Sequence, residues 1–568
     1  MEYAVNAITK EKLVSKNNKQ KLKIIPLGGL AEIGKNMTVL EYGDDIIIVD
    51  CGLTFPDEDM LGIDIVIPDI SYLEKNQKKI RGLILTHGHE DHVGAIPYVL
   101  KKMDIPVYGT RLTLGLLKNK FNEHKLNTEC LNEIHAGTPF KLGVFKVEPV
   151  QASHSIPDSV SFAIETPVGV VIFTGDFKID YTPIDGDLMN LPRLATLGDK
   201  GVLVLLADST NIEREGYSMS ERHVGETFKD IFARAESRII VATFASNLHR
   251  VQQVIMAAEH FGKKIVISGR SMINTVGVAL ELGYLKVKEG SIVDINNINK
   301  YPGDEIVVLT TGSQGEPMSA LSRMANGDHR QVHLVPEDTV VISASPIPGN
   351  EKTVFNVMNK LTEIGVKIIY QALADVHVSG HAFKEELKLI HTLIRPKFFI
   401  PVHGEQRHLK LHAKLAMELG MDERNIAFGS NGTVFELDET SINVAGTVPA
   451  GNVLVDGLGV GDVGNIVLRD RKHLSEDGLM VVVITIDKQD KSVIAGPDII
   501  SRGFVYVKES GDLMDDAKKV VERTLEKCGS KNITDWGTIK YSIRDALKGF
   551  LYHEIKRNPM ILPIIMEV

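Results

Sequence analysis

The stretch LILTHGHEDHVGAIPYVL, residues 83–100, decides the reading of this chain. An apolar run with the look of a strand delivers His87, His89, Asp91 and His92 within six residues. A buried imidazole must be hydrogen-bonded and a buried carboxylate must be paired, so four such groups packed together are costly unless a cation satisfies them. In an extended or tightly turned segment, side chains two apart point the same way. His87 and His89 can therefore grip one metal while Asp91 and His92 face a second. The plain alternative is a solvated polar loop that happens to be His-rich. Only 19 His occur in 568 residues, which makes so dense a grouping hard to assign to chance.

Upstream, KLKIIPLGGLAEIGKN is apolar and then Gly-rich, and IIIVD ends in Asp50, which predicts strands and tight turns over 22–50. Gly28, Gly29, Gly34 and Lys35 lack both the GxGxxG spacing and the Lys-Ser/Thr ending of a phosphate loop, which excludes a nucleoside triphosphatase. Downstream, GVFKVEPVQASHS, VSFAIET, GVVIFTGDF and GVLVLLADSTN read as short strands over 143–208, with His154, Asp176 and Asp208 at polar tips. Residues at strand ends, held by a rigid sheet, suit an active site.

The pattern then changes. Val224, Phe228, Ile231, Phe232 and Ala235 share one helical face. RIIVATF, KKIVISG, EIVVLTTGS, DTVVISAS and VKIIYQ alternate with helices near 247–260 and 351–363, the signature of a parallel α/β sheet. An α/β unit of about 160 residues is thus inserted into a β-rich protein. A helix near 383–394 leads into PKFFIPVHGEQ, ending at His403, and the Gly-rich stretch 443–466 reads as a linker or hairpin. The strand LMVVVITID, helices near 515–528 and 536–556, and the apolar end ILPIIMEV, which suits either core or an interface strand, make a small C-terminal α/β domain.

Composition bounds the function. A net charge of −10 does not advertise a nucleic-acid binder, so positive charge for any RNA must be local or carried by metals. The three cysteines, Cys51, Cys130 and Cys528, are far apart and odd in number, which points to a reducing, cytoplasmic compartment and leaves zinc to His and Asp. No apolar run reaches the ~18 residues of a membrane span. The first residues show no secretory signal, and Lys10, Lys12, Lys16, Lys19 and Lys21 read as a solvated extension rather than an RNA-contacting arm.

Two metals need about three or four protein ligands each, with positions left open for water. His87, His89 and His154 suit one ion, Asp91, His92 and His403 the second, and Asp176 can bridge them. Imidazole and carboxylate without thiolate suit zinc best, with manganese as the alternative.

At this point the residues carry a resemblance. HGHEDH followed by His154, Asp176 and a late His403 resembles the ligand set of metallo-β-lactamase-fold hydrolases, and the α/β insert resembles the β-CASP domain of their nucleic-acid-processing members. GGLAEIGKN, GIDIVIPD, THGHEDHVGAIPY, ADSTN, HVSGHA, PVHGEQRH and GPDIISRGF together resemble bacterial ribonuclease J, with no ligand missing.

The resemblance implies an α/β fold: a metallo-β-lactamase αββα sandwich with an inserted parallel α/β β-CASP domain. The expected divisions are an extension 1–20, the core 21–215 and 377–450, the insert 216–376, a linker 451–461 and a C-terminal oligomerisation domain 462–568. It also implies a zinc-dependent ribonuclease with 5′-to-3′ exonuclease and endonuclease activity in RNA maturation and decay. In the expected reaction a hydroxide activated by two Zn²⁺ (or Mn²⁺) attacks a backbone phosphorus. His381 assists the leaving 3′ oxygen and Asp208 orients His381, although DST is also good turn sequence.

His377, Ser379, Gly380 and His381 resemble a pocket for a 5′-monophosphate end of single-stranded RNA. Ser343, Arg270 and Gly312-Ser313 are further expected nucleotide contacts, though they read equally well as loops at strand ends. A homodimer or homotetramer, or assembly with a paralogue, is implied as well. The competing readings are a non-catalytic partner subunit of a degradation complex and a small-molecule hydrolase of the same fold.

Overall fold

The computed structural model describes residues 20–568 apart from 317, 348–349, 488–492, 505–510, 532 and 534. Most of the N-terminal lysine-bearing extension lies outside the described residues.

Two sheets form the core. One has eight strands in the spatial order Ile442–Thr447, Thr433–Leu437, Leu22–Gly28, Met37–Tyr42, Asp45–Val49, Ile80–Ile84, Val107–Gly109 and Leu131–Glu133. The other has six: Phe398–Val402, Val204–Asp208, Gly169–Phe173, Val160–Thr166, Phe145–Gln151 and Phe140–Leu142. Their facing side chains share one apolar cluster, in which Ile24, Leu40 and Ile47 meet Phe162, Leu206 and Ile400. Ile46 and Ile48 are buried on the opposite face, which is why IIIVD shows no polar alternation. Helices Leu191–Lys200, Lys384–Ile394 and Gln406–Glu418 cover the outer face of the six-stranded sheet. This is the metallo-β-lactamase sandwich.

Strands Val204–Asp208 and Phe398–Val402 are parallel neighbours, yet 189 residues separate their ends. The intervening chain builds a six-stranded, wholly parallel sheet: Ile292–Val293, Lys264–Ser268, Ile306–Thr310, Ile239–Ala242, Thr339–Ile342 and Lys367–Tyr370. Ile239 and Val241 pack against helices Glu221–Arg234, Leu248–His260 and Arg270–Glu281. Ile240 and Ala242 pack against helices Ala320–Ala325 and Glu351–Ile364. Beyond the inserted sheet the chain returns to the Asp208 tip, where Asn211 meets Ser379 and Asp208 meets His381, before it enters Phe398–Val402 beside the strand it left; both ends of the insert therefore sit at the tips that carry Asp208 and His403.

Residues 454–568 form a second compact unit together with 55–66, which chain order alone assigns to the core. Ile63 and Val66 bury themselves against Leu454, and Arg471 bonds the Leu61 carbonyl and Asp456. Residues 452–460 are a hairpin rather than a free linker. In this unit Met560–Glu567 pairs parallel to Leu479–Ile486, which pairs antiparallel to Val493–Arg502. ILPIIMEV is thus a sheet strand, with Ile561 buried against helices Gly511–Ser530 and Trp536–Ile555 while Leu562, Ile564 and Met566 face outward.

Candidate metal centre

Each candidate ligand stands just past the end of a core strand. His87 follows Ile80–Ile84, and a single helical turn, Glu90–Val93, carries Asp91 and His92. That turn lies against the segment after Asp45–Val49, where Cys51 N–H donates to the His92 carbonyl and Leu53 N–H to that of Glu90. A Cβ on Gly52 would run into the Asp91 carbonyl, so this close approach requires glycine. His154, Asp176 and Asp208 end or follow three strands of the six-stranded sheet, and His403 follows its edge strand with φ +51°, its N–H bonded to the Gly29 carbonyl.

These residues converge. Ligating atoms of His87, His89, His154 and Asp176 lie within 4.8 Å of one another, as do those of Asp91, His92, Asp176 and His403. Asp176 belongs to both groups, as the sequence pairing implies. His89 Nδ1 lies 3.2 Å from His154 Nε2, and His92 Nε2 lies 3.2 Å from Asp176 Oδ2. The Nε2 atoms of His87 and His403 are buried with no hydrogen-bond partner among the described residues. Orphaned imidazole nitrogens beside the two carboxylates Asp91 and Asp176 fit a cation at the centre of each group.

The other ring nitrogens are fixed by outer partners, as metal-bound imidazoles require. His92 Nδ1 donates to Asp50 at 2.7 Å, and Asp50 also accepts from the Thr86 N–H and hydroxyl, each at 2.8 Å. His154 Nδ1 donates to the Gly380 carbonyl at 2.7 Å. Asn36 Nδ2 donates to the Asp91 carbonyl at 3.1 Å. Asp50 was legible as a carboxylate at a strand end, but its partner lies 42 residues on.

Charge divides the imidazoles. Burial, reinforced by neighbouring imidazoles, pushes His87 and His154 well below the ordinary histidine range, and burial brings His89 down to about 4. These three offer neutral lone pairs. Burial also opposes charge on His92 and His403, yet Asp176 and the other facing carboxylates hold both well above that range. Burial would raise the Asp176 carboxyl; His403, His92 and His381 outweigh it and hold the group ionised.

Asp208 and His381 form a hydrogen-bonded pair whose candidate ligating atoms also lie within 4.8 Å of those of Asp176 and His403, a third group beside the first two. His381 Nδ1 donates to Asp208 Oδ2 at 2.7 Å, which leaves Nε2 to carry a transferable proton. Burial opposes the imidazolium, but Asp208 and then Asp176 raise its affinity for a proton. Asn211, unremarked in the sequence, joins ADSTN to HVSGHA: its Nδ2 donates to Ser379 Oγ at 2.7 Å and to the His381 carbonyl. His377 stands in the same segment with Nδ1 buried and unpartnered among the described residues. Burial, with Arg250, Arg214 and Lys178 nearby, lowers it to about 3.

Three expected nucleotide contacts, Ser343, Arg270 and Ser313, lie outside the converging groups. Ser343 is fully buried: its hydroxyl donates to the Val376 carbonyl and accepts from Arg250 Nη1, both at 2.6 Å. It has a structural task because Arg250, itself buried, needs acceptors beyond its ion pair with Glu221. Arg270 is exposed at the start of helix Arg270–Glu281, and Ser313 is buried; neither belongs to the converging groups.

The metallo-β-lactamase superfamily matches residues 31–208, the ribonuclease J β-CASP domain 236–361, the Zn-dependent metallo-hydrolase RNA specificity domain 365–427, and the ribonuclease J C-terminal domain 466–568. Over 556 residues the chain is 45% identical to ribonuclease J2 of Bacillus subtilis (strain 168), covering 98% of this chain and 100% of that one. The chain belongs to the ribonuclease J family.

Two further ribonuclease J relatives agree along nearly the whole length. Ribonuclease J 1 of Streptococcus pyogenes serotype M3 is 45% identical, covering 96% of this chain and 97% of that one. Ribonuclease J of Thermus thermophilus is 42% identical, covering 96% and 95%. A solved structure of a protein of unknown function from Enterococcus faecalis V583 shares the fold, with TM-score 0.54 and 16% identity over 73% of this chain and 100% of that one. Among the described residues of this ribonuclease J family member, no helix is long and apolar enough to cross a membrane.

Proposed function

We propose that the chain is a dinuclear, zinc-dependent ribonuclease that trims single-stranded RNA from a 5′-monophosphate end and also cuts internally. One observation carries this reading: seven His and Asp side chains from separate strand ends converge as two groups sharing Asp176, beside a hydrogen-bonded Asp208–His381 pair. His87, His89, His154 and Asp176 would hold one divalent cation, and Asp91, His92, His403 and Asp176 the other. Bound there, the two cations would acidify a water and neutralise charge on the phosphoryl oxygens.

The chain's own residues supply the rest. Asp208 fixes the His381 ring by accepting its Nδ1–H, and the raised proton affinity keeps Nε2–H available at neutral pH. His381 donates that proton to the departing 3′ oxygen, so one product carries a 5′-phosphate and the other a 3′-hydroxyl. A released 5′-phosphate recreates the preferred end, which suits repeated 5′-to-3′ steps. Ser379 Oγ accepts from Asn211, so its own O–H is left to donate to a phosphate. Arg214 and Lys178, whose charges together with burial hold His377 neutral, make the neighbourhood of this segment electropositive.

Assembly through the C-terminal unit and a cytoplasmic setting complete the reading. The intact ligand groups weigh against a purely structural partner subunit. The long insert weighs against a small substrate, which needs no such clamp.

The test is cleavage of one RNA oligomer carrying either a 5′-monophosphate or a 5′-triphosphate, with zinc, with manganese, and with chelator. Metal-dependent release of mononucleotides, faster from the monophosphate, is expected. Internal fragments alone would remove the phosphate pocket, and no cleavage by metal-loaded protein would favour the structural-partner reading.

A further inference from the structure

The loop that carries His154 is anchored unlike those of the other ligands. Its base belongs to the core, where Ala152 N–H donates to the Ser159 carbonyl and Lys178 N–H to that of Ser153. Beyond that base the loop leans on the insert at three points. His249, in the first turn of insert helix Leu248–His260, donates from Nδ1 to the His154 carbonyl at 3.1 Å, while its Nε2 donates to Asp185 at 2.8 Å. Ile156 is buried in the insert's cluster with Val224, Phe228, Val251 and Val376. Tyr284, which follows insert helix Arg270–Glu281, donates its hydroxyl to Asp158 Oδ2 at 2.7 Å.

Asp158 has φ +66°; its side chain also accepts from the Leu112 N–H and its carbonyl from the Thr110 hydroxyl at 2.9 Å, so core and insert both hold the loop's far end. The second ligand group has no such dependence. Asp91 and His92 lean on residues 36 and 50–53 of the core, and His403 on Gly29.

We propose that His249 and Tyr284 are positioning residues for His154: the insert's contacts, added to those of the core and of the Gly380 carbonyl, hold this ligand in place and thereby tune the cation affinity of the His87–His89–His154–Asp176 group alone. This rests on the two-cation reading above. Linkage makes the effect reciprocal: an RNA strand that seats the insert more firmly tightens cation binding at this group and leaves the other unchanged. The two groups, although they share Asp176, then differ in what governs them. One rests on the core alone, and the other depends on the insert as well.

The experiment is zinc titration of the full chain against a chromophoric chelator, with and without an uncleavable phosphorothioate RNA oligomer. The constant belonging to the His154 group is the one lost in His154→Ala. Tyr284→Phe removes one hydroxyl that bonds Asp158, which belongs to neither cation group, and should weaken that constant by about 2- to 10-fold. His249→Ala should weaken it by about 10- to 100-fold, as loss of an outer partner does. The other constant should stay put in both, and RNA should tighten the first constant in the unmodified chain more than in either variant.

If His249→Ala does not fold by circular dichroism, Tyr284→Phe decides alone. Unchanged constants in folded variants, or equal losses at both groups, overturn the proposal. An unmodified chain that takes up fewer than two ions overturns the two-cation reading and this inference with it.

Discussion

Gly380→Ala is the sharpest perturbation the structure offers, because one added methyl has one target. Gly380 does not have a positive φ, so alanine can adopt its backbone conformation. The obstacle is spatial: a Cβ there would stand 2.7 Å from His154 Cε1, 2.8 Å from Nδ1 and 3.1 Å from Ser155 Cβ. Carbon atoms rest near ~3.5 Å, so the ring or the segment must yield by about 0.8 Å. The neighbour is no flexible side-chain tip. His154 is buried, with its ring tied to the Gly380 carbonyl and Nε2 3.2 Å from His89 Nδ1.

Ligand positions must hold to about 0.2 Å for a good metal site, so a displacement of this size should cost about 10- to 100-fold in cation affinity, the range seen when outer partners are removed. The backbone N–H of residue 380 survives the substitution, so a phosphate pocket built on that N–H would be spared. Zinc content after desalting, followed by chelator competition, measures the effect, with circular dichroism as the folding check. Substoichiometric zinc with an unchanged preference for 5′-monophosphate in whatever activity remains is the expected result. Two tightly bound ions with altered end preference would refute the reasoning and return Gly380 to a phosphate-contact role.

Other residues make separable predictions. His381→Ala should keep both cations yet slow cleavage about 10²- to 10⁴-fold, which single-turnover assays on metal-analysed protein would show; loss of a cation would mean that His381 is a ligand. Asp208→Asn should move the alkaline limb of the pH–rate profile downward. The carboxylate raises the proton affinity of His381, the donor must be protonated, and so activity is lost at a lower pH once that carboxylate is gone; an unmoved limb would assign it to another group. Ser379→Ala should reduce the preference for 5′-monophosphate ends more than internal cutting, and equal losses would reject the pocket. Arg250→Met strands the buried Glu221 carboxylate and should destabilise the fold by about 3–5 kcal/mol, with Glu221→Leu in the same chain restoring much of it; additive losses on thermal melting would show the pair is not coupled.

The converging His and Asp residues were legible because their chemistry is local to strand ends. HGHEDH compresses four groups into one turn, and His154, Asp176, Asp208 and His403 each interrupt an apolar run with a polar tip. The parallel sheet of the insert was legible for the same reason, as apolar runs alternate with amphipathic helices. Helix Arg270–Glu281 carried a readable stripe, Met272, Val276 and Ala279, yet SGRSM at its start drew the reading towards a loop.

What stayed hidden depends on pairs that no periodicity announces. Gly380 and His154 are 226 residues apart, His249 and His154 are 95, and Arg250 and Ser343 are 93. Ser343 shows how the inference can invert. A serine at a strand end in an α/β sheet invites a ligand-binding role, because loops there so often carry function. Its fate was decided by Arg250, a guanidinium buried by the packing of its helix, which must find acceptors for all its donors. Glu221, Val376 and Ser343 supply them, and the same bonds fix the segment leading into HVSGHA. A serine that looks like a substrate contact thereby becomes part of the support for the HVSGHA segment. Only the burial of a charge elsewhere, invisible in the local sequence, separates the two roles.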